Sequence, residues 1–563
     1  MKILLIYPYF LEERIHKEDI EAVPSGLFYV GAVLKENHYD VEILNWHDFQ
    51  KLHEKIKESI VSINPDVIGM SIVHANRWGG IEIAGIAKKI NPDVKIVFGG
   101  IGATFLYEHL LTHFRDIDFC VIGEGEYVFL QLVQWLEKKE ELIPETIPGI
   151  AYRRQGKIVC NPQSNFIKNL DQLPDPSRYF TFQHVCLSRG CPGNCTFCGS
   201  PQFWKHRVRF HSANYFVDQL ERLYRKGVTF FYVSDDTFAL KKDLVIHVCE
   251  EICRRKLLIS WAAICRVADI DEDVLYWMRK AGCVQISYGV ESGSEKIRKY
   301  LNKPIKPEMF KKAFSMTTAH GILPRAYFIY GCPEETWDTI QETLDLIRDI
   351  KPLAAVFYIL DIFPGTELYK DWQKQKGVTD DIWKKRIEDM LYFETDPCLS
   401  QEQIMAFGKK LRGDFHKSLP DFVDAIRLKD QKDLYASHAD FLSRLAMTFS
   451  HGDYSRIEEI EAPEEISLTL YKKALLYYPD HRAFLGAGII YQKKGYDQES
   501  TKFVEMGLKY YPKSEPLHLC LGVSFMNMGN VESALDIFEK YPGSAHAKAY
   551  GVSCREAMAK KKA

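Results

Sequence analysis

Over residues 1–140, short apolar runs alternate with amphipathic stretches. The runs at 3–7, 41–44, 67–72, 94–98 and 119–122 are nearly unbroken by polar residues, which predicts strands buried on both faces. The segments at 26–36, 81–89 and 106–113, and the one opened by Gly123-Glu124-Gly125-Glu126, read as helices. Strand and helix in alternation predict an α/β fold here, a doubly wound parallel sheet. Ligands of such sheets sit beyond the carboxyl ends of the strands, a rim formed by Pro8, Ser71, His74, Gly99, Gly100, Gly123 and Glu124. Glycines in that rim let a flat ligand approach bare backbone. No G-x-G-x-x-G follows the first run, so a dinucleotide fingerprint is missing.

Residues 141–180 read as a linker, broken by Pro148, Gly156, Pro162, Pro174 and Pro176. The alternation then resumes over 181–400, with strands predicted at 229–233, 259–263, 284–288, 325–330 and 355–360. Six β/α units predict a partial parallel barrel with its chemistry at the carboxyl ends of the strands. Residues 401–445 are charged and helical, a connector without a chemical motif. Over 446–563 a 34-residue period pairs Gly488 with Gly522, Gly495 with Gly529 and Tyr491 with Phe525. This all-α tail resembles tetratricopeptide repeats, which implies either a concave surface for a peptide or protein or a cap on the barrel.

The chemistry concentrates in Ser188-Arg189-Gly190-Cys191-Pro192-Gly193-Asn194-Cys195-Thr196-Phe197-Cys198. A C-x₃-C-x₂-C spacing supplies three thiolates, enough for three irons of a [4Fe–4S] cluster with the fourth iron open. The alternative is a zinc knot completed by Cys186 or His206. Every predicted strand behind the loop ends in a polar or glycine-rich cluster. These are Ser234-Asp235-Asp236, Cys265-Arg266, Gly289-Val290-Glu291-Ser292-Gly293, Gly331-Cys332-Pro333-Glu334-Glu335 and Phe363-Pro364-Gly365-Thr366. A zinc knot requires none of them. A bound nucleoside carrying an amino acid requires all these group types: carboxylates for an ammonium and for ribose, backbone and an apolar wall for adenine.

Loop and strand ends together resemble the radical S-adenosylmethionine (SAM) superfamily. The first domain resembles the cobalamin-binding Rossmann-like domain ahead of many such cores, through Pro24-Ser25-Gly26-Leu27, Pro65-Asp66-Val67-Ile68-Gly69-Met70-Ser71, Gly99-Gly100 and Gly123-Glu124-Gly125-Glu126. The resemblance implies Cys191, Cys195 and Cys198 as metal ligands. It implies Phe197, Ser234, Asp235, Asp236, Arg266, Glu291, Ser292, Gly331 and Pro364 around SAM. Around cobalamin it implies Pro8, Gly26, Leu27, Ser71, His74, Gly99, Gly100, Gly123 and Glu124. The D-x-H-x-x-G motif that supplies a cobalt-ligating histidine elsewhere is absent. The implied reaction is reductive cleavage of SAM to a 5′-deoxyadenosyl radical, followed by methyl transfer from methylcobalamin to an unactivated carbon. The same cofactors also serve radical cyclisation or rearrangement, as in the anaerobic porphyrin cyclase relatives. A repeat scaffold or cobalamin/SAM sensor without catalysis predicts an eroded cluster loop, which this chain lacks. Tyr288, Tyr327 and Tyr330 fall near the predicted barrel mouth, and no acid–base catalyst is nominated.

Bulk properties agree with an enzyme of several domains. The 563 residues are 46% hydrophobic and 26% charged. A formal net charge of −3 excludes nucleic acid as a partner of the whole surface. No window reaches the ~18 uninterrupted apolar residues of a membrane span. Fourteen cysteines without a secretion signal indicate a reducing cytoplasm, compatible with anaerobic chemistry and an electron donor such as flavodoxin or ferredoxin.

Overall fold

A computed structural model describes residues 1–11, 22–49, 51–138, 146–162 and 166–562. Its first sheet is built from β1 (Lys2–Tyr7), β2 (Asp40–Asn45), β3 (Val67–Ser71), β4 (Lys95–Gly99), β5 (Phe119–Val121), β6 (Ile150–Arg154) and β7 (Lys157–Cys160), in the order β2-β1-β3-β4-β5-β6-β7. The first five pair in parallel. Ile3, Leu4, Leu5 and Ile6 are all fully buried, as expected of a strand covered by helices on both faces. The expectation for residues 141–180 needs correction here. Residues 150–160 form an antiparallel hairpin that extends the sheet past β5. Their alternation is short and edge-like, and Gly156 with a φ of +79° makes the turn.

The second sheet contains β8 (His184–Val185), β11 (Phe230–Val233), β12 (Ser260–Cys265), β13 (Cys283–Glu291), β14 (Leu323–Tyr330) and β15 (Ala354–Ile359) in sequence order, all parallel. Two further short strands, β9 (Ser188–Arg189) and β10 (Arg209–Phe210), pair antiparallel and flank the cysteine loop. Six parallel strands in consecutive order, each followed by helix, make the partial barrel that the alternation predicts.

The two sheets share an apolar core. Ile68, Phe98 and Leu110 of the first domain pack in one cluster with Cys332, Leu360, Ile362 and Trp383. The fully buried Arg77 adds polar bonds across the junction, donating to the carbonyls of Glu388 and Ile387 at 2.8 and 2.5 Å.

The tail is helical throughout its described length. Helices Tyr435–Ser450, Pro463–Tyr477 and His481–Lys493 contribute Phe449, Tyr471 and Ala487 to the barrel's own core cluster. Docking occurs at the amino ends of the strands. Arg444 donates to Ser260 Oγ at 3.1 Å at the start of β12, and Tyr454 to the Leu353 carbonyl at 2.9 Å just before β15. The tail therefore closes the barrel end opposite the strand carboxyl ends. No described helix is long and apolar enough to cross a membrane.

Candidate functional site

Between the carboxyl ends of the first sheet and the core lies a cavity of about 350 Å³. Ser71, Gly99, Gly100 and Gly123 line it from the first domain, together with Gly26 and Leu27 at the start of helix Ser25–Glu36. Leu5, Val97 and Phe129 supply an apolar floor, while Arg189, Phe203, Trp204, Ser234 and Asp236 line the facing wall. Gly100 has a φ of +90°, and a Cβ there would stand 2.9 Å from the Ile72 carbonyl oxygen. Only glycine suits that position, which keeps this wall at backbone level. A bare wall, an apolar floor and aromatics opposite suit a large flat ring with a polar rim. No histidine is among the described residues that line it.

Three first-domain expectations change. Pro8 lies outside the lining; its carbonyl accepts from Asn76 Nδ2 at 3.4 Å. His74 also lies outside, with its ring stacked on Phe363 (4.8 Å, 12°) and Nε2 3.0 Å from Asp361 Oδ2. It is held by the core and does not face the cavity. Glu124 borders the cavity, but both its oxygens are taken. They accept from Arg189 and Arg209 at 2.8 Å and from the Ile167 N–H at 2.8 Å. Arg189 also meets Glu126 at 2.7 Å, and all four side chains are nearly buried. Such a network fixes the orientation of the groups that carry it, because removing one partner strands a buried charge.

The cysteine loop lies beside this cavity without lining it; Ser188 before it and Ser200 after it do line it. The loop is anchored through Asn194 and Thr196. Thr196 N–H donates to the Leu301 carbonyl at 3.1 Å, Leu368 N–H to the Thr196 carbonyl at 2.9 Å, and Asn302 Nδ2 to the Asn194 carbonyl at 2.7 Å. Gly193 is the cradle: a Cβ on it would fall 3.3 Å from Cys191 Sγ and 4.0 Å from Cys195 Sγ. The two sulfurs thus converge over a residue that has no side chain to obstruct them. Burial raises all three thiols, Cys198 to about 12. Buried thiols of this kind become ligands only when a metal displaces their protons. Three thiols on one short loop, two of them converging over Gly193, beside open strand ends fit a site-differentiated iron–sulfur cluster.

Positive charge stands next to these sulfurs. Lys303 Nζ donates to Glu291 Oε1 at 2.6 Å, and both are nearly buried. Burial pulls the lysine down, but Glu291, Cys195 and Cys191 outweigh it and leave its pKa raised. Lys303 and Arg266 both act on Cys191 and Cys195 in the direction of the thiolate. Arg266 remains about one-third exposed, with Asp269 3.8 Å away. Lys303 was not singled out from the sequence; it follows Glu291 by twelve residues with no motif to mark it.

The expected SAM residues divide into those that are open and those that are spent. Ser234 and Asp236 line the cavity; Ser234 Oγ is 2.9 Å from His184 Nδ1, and Asp236 accepts from Gly190 N–H at 3.0 Å. Asp235 is a correction: it is 1% exposed and accepts from Leu187 N–H at 2.8 Å and Ser188 Oγ at 2.5 Å. It holds the strand before the loop and has no free face for an ammonium. Ser292 is likewise spent, its Oγ 3.2 Å from Thr343 Oγ1 and accepting from Ser294 N–H. Gly331, with a φ of +77°, donates its N–H to Glu335. Pro364 is buried in the turn closed by Thr366 Oγ1 on the Phe363 carbonyl at 2.9 Å. Phe197 packs half-buried against the shared core. Tyr288 and Tyr330 are buried barrel filling; the Tyr288 hydroxyl pairs with Thr317 at 2.7 Å.

Residues 185–347 match the family model of the Radical SAM superfamily, and residues 19–133 match the B12 binding domain. An uncharacterized methyltransferase of Pyrococcus horikoshii is 32% identical over 382 residues, covering 66% of this chain and 83% of that protein. The anaerobic magnesium-protoporphyrin IX monomethyl ester cyclase of Rubrivivax gelatinosus is 30% identical over 402 residues, covering 68% and 71%. Among structures, the cobalamin-dependent SAM radical enzyme OxsB aligns with 99% of this chain and 84% of its own, at a TM-score of 0.54 and 18% identity. The radical SAM methyltransferase TsrM from Kitasatospora setae aligns with 67% and 78%, at a TM-score of 0.56 and 19% identity. At these identities the structural matches speak for the fold.

Proposed function

Because the chain belongs to the cobalamin-binding branch of the radical SAM superfamily, we propose that it is a methyltransferase acting on an unactivated carbon, with a [4Fe–4S] cluster, SAM and cobalamin as cofactors. The observation that carries this reading is the juxtaposition of a three-thiol loop with a glycine-walled cleft, at the carboxyl ends of two parallel sheets. When bound, the cluster and SAM supply a hydrogen-abstracting radical, and cobalamin supplies the methyl group.

Cys191, Cys195 and Cys198 would hold three irons and leave one for SAM. Lys303 and Arg266 keep positive charge beside those sulfurs, which favours the ligating thiolates. Of the three residues expected at this strand end, Ser234 and Asp236 would offer a hydroxyl and a carboxylate to the SAM amino acid moiety. Gly26, Leu27, Ser71, Gly99, Gly100 and Gly123 would border cobalamin. The Glu124–Arg189–Arg209 network holds the two walls in one orientation, and the apolar floor excludes water. Among the described residues, no histidine lines the cavity.

The electron comes from a small external donor such as flavodoxin or ferredoxin, and fourteen unpaired cysteines accord with a reducing cytoplasm. The tail, tetratricopeptide-like in period, serves as a cap: its first helices are spent on the barrel's amino end. The test is anaerobic. Protein reconstituted with iron and sulfide, then given SAM and a strong one-electron reductant, is expected to form 5′-deoxyadenosine, and Cys195→Ala to reduce that to background. Equal product from Cys195→Ala would overturn the reading.

A further inference from the structure

Helix Gly100–His113 reaches the cavity with its amino end only. About 13 Å further along its axis it carries His109 and His113, four residues apart on one face. Against that face lies the short turn Asp380–Lys384, which follows the barrel's last helix. One ligand atom from each of His109, His113 and Asp381 can be chosen so that all three lie within 4.8 Å of one another.

Three features set this cluster apart from an ordinary surface pair. His109 is only 5% exposed, yet its Nε2 has no hydrogen-bond partner. A buried imidazole nitrogen without a partner is costly, and native structures seldom leave one without a reason. His113 Nε2 stands 3.3 Å from Asp381 Oδ1. That is the edge of a tetrahedron whose metal–ligand arms are about 2.0 Å long. The carboxylate-bearing turn is also braced from behind: Asp380 accepts from the Tyr369 hydroxyl at 2.7 Å and from Gln373 at 3.0 Å, and Thr379 caps it through Asp381 N–H. The competing partner of Asp381 is Lys384, 3.0 Å away and nearly half exposed, a pair of little intrinsic strength.

We propose that His109, His113 and Asp381 form a second metal site, separate from the cysteine loop, that takes a tetrahedral divalent cation of the zinc type. Two imidazoles and one carboxylate from the chain leave the fourth position to water, since His113 and Asp381 face solvent. The ligands come from the first domain and from the segment beyond the barrel, so the cation clips the cofactor domain to the radical core. It stands away from the cavity, and its role is structural.

The probe is Zn²⁺, offered to the cluster-loaded full chain so that the loop cysteines are occupied. A second sample, Cys191→Ala/Cys195→Ala/Cys198→Ala, removes thiol binding at the loop. Both are expected to retain one equivalent of zinc after desalting, and added zinc is expected to raise the thermal midpoint of the cluster-loaded chain. His113→Ala and Asp381→Asn, both at exposed positions, should keep the metal-free midpoint of the parent and bind zinc at least tenfold more weakly. Replacing zinc with Co²⁺ in the sample lacking the three loop cysteines should give visible ligand-field bands without a sulfur charge-transfer band. Failure of the full chain to retain zinc, or equal retention by His113→Ala, overturns the proposal.

Discussion

Glu335 is 3% exposed at the carboxyl end of β14, where its Oε2 accepts from the N–H groups of Gly331 and Cys332. Burial pushes its pKa up to about 7, against the pull of those two donors. An unfolded glutamate titrates near 4.3, so between about pH 4.3 and 7 the folded chain binds the extra proton. Stability tied to this group is therefore full below about pH 4.3 and declines as pH rises towards 7, by on the order of 1 kcal/mol per pH unit. Glu335→Gln keeps an acceptor for both N–H groups and removes the titration. Denaturant unfolding of the two proteins between pH 5 and 7 should show a flatter pH dependence in the variant; parallel curves would place the proton elsewhere. The same scale shows why some residues were legible in the sequence and others not. The cysteines declare themselves because their ligand set is local, three thiols within eight residues. Asp235 and Asp236 are adjacent carboxylates whose fates differ because one serves the backbone of Leu187 and the other borders the cavity. Nothing local distinguishes them, and Lys303 meets the sulfurs only through the fold.

At the scale of elements, periodicity was informative wherever burial was two-sided. The unbroken apolar runs became the parallel strands of both sheets, since a strand covered by helices on both faces has no polar side to write into the sequence. The hairpin 150–160 was hidden because its strands are short and it pairs at an edge, among residues whose prolines suggest a connector. The docking of the tail was hidden too, for beside its apolar packing it uses a charge cluster that forms only in the fold. Asp440 accepts from Arg279 at 2.8 Å, Arg444 at 2.9 Å and Arg482 at 2.6 Å, and burial fails to raise its pKa because these arginines hold it well below the usual carboxylate range. Asp440→Ala takes the charge partner from Arg279, which is 4% exposed. Breaking a buried pair of this kind costs about 3–5 kcal/mol. Limited proteolysis should then release the tail from Asp440→Ala faster than from the parent, while 5′-deoxyadenosine formation persists. Loss of that product at the parent's rate of cleavage would mean that the tail serves the site and not the amino end of the barrel.

The described molecule is two sheets whose parallel strands set their carboxyl ends towards a common cleft, plus a helical cap on the far end of the barrel. This arrangement gives cofactor-binding surfaces to both walls and leaves the cap out of the chemistry. The shared apolar core and the Glu124–Arg189–Arg209 network join the sheets into one working unit. The proposed function of the cleft is delivery of a methyl group from cobalamin, in concert with the radical site beside it. Its most direct test is to incubate reduced, cluster-loaded enzyme with SAM, with and without cobalamin, and quantify S-adenosylhomocysteine and 5′-deoxyadenosine from the same vial. Both products are predicted in the cobalamin-loaded sample, with S-adenosylhomocysteine absent when cobalamin is left out. Formation of 5′-deoxyadenosine alone, unchanged by cobalamin, would contradict methyl transfer as the function of this site.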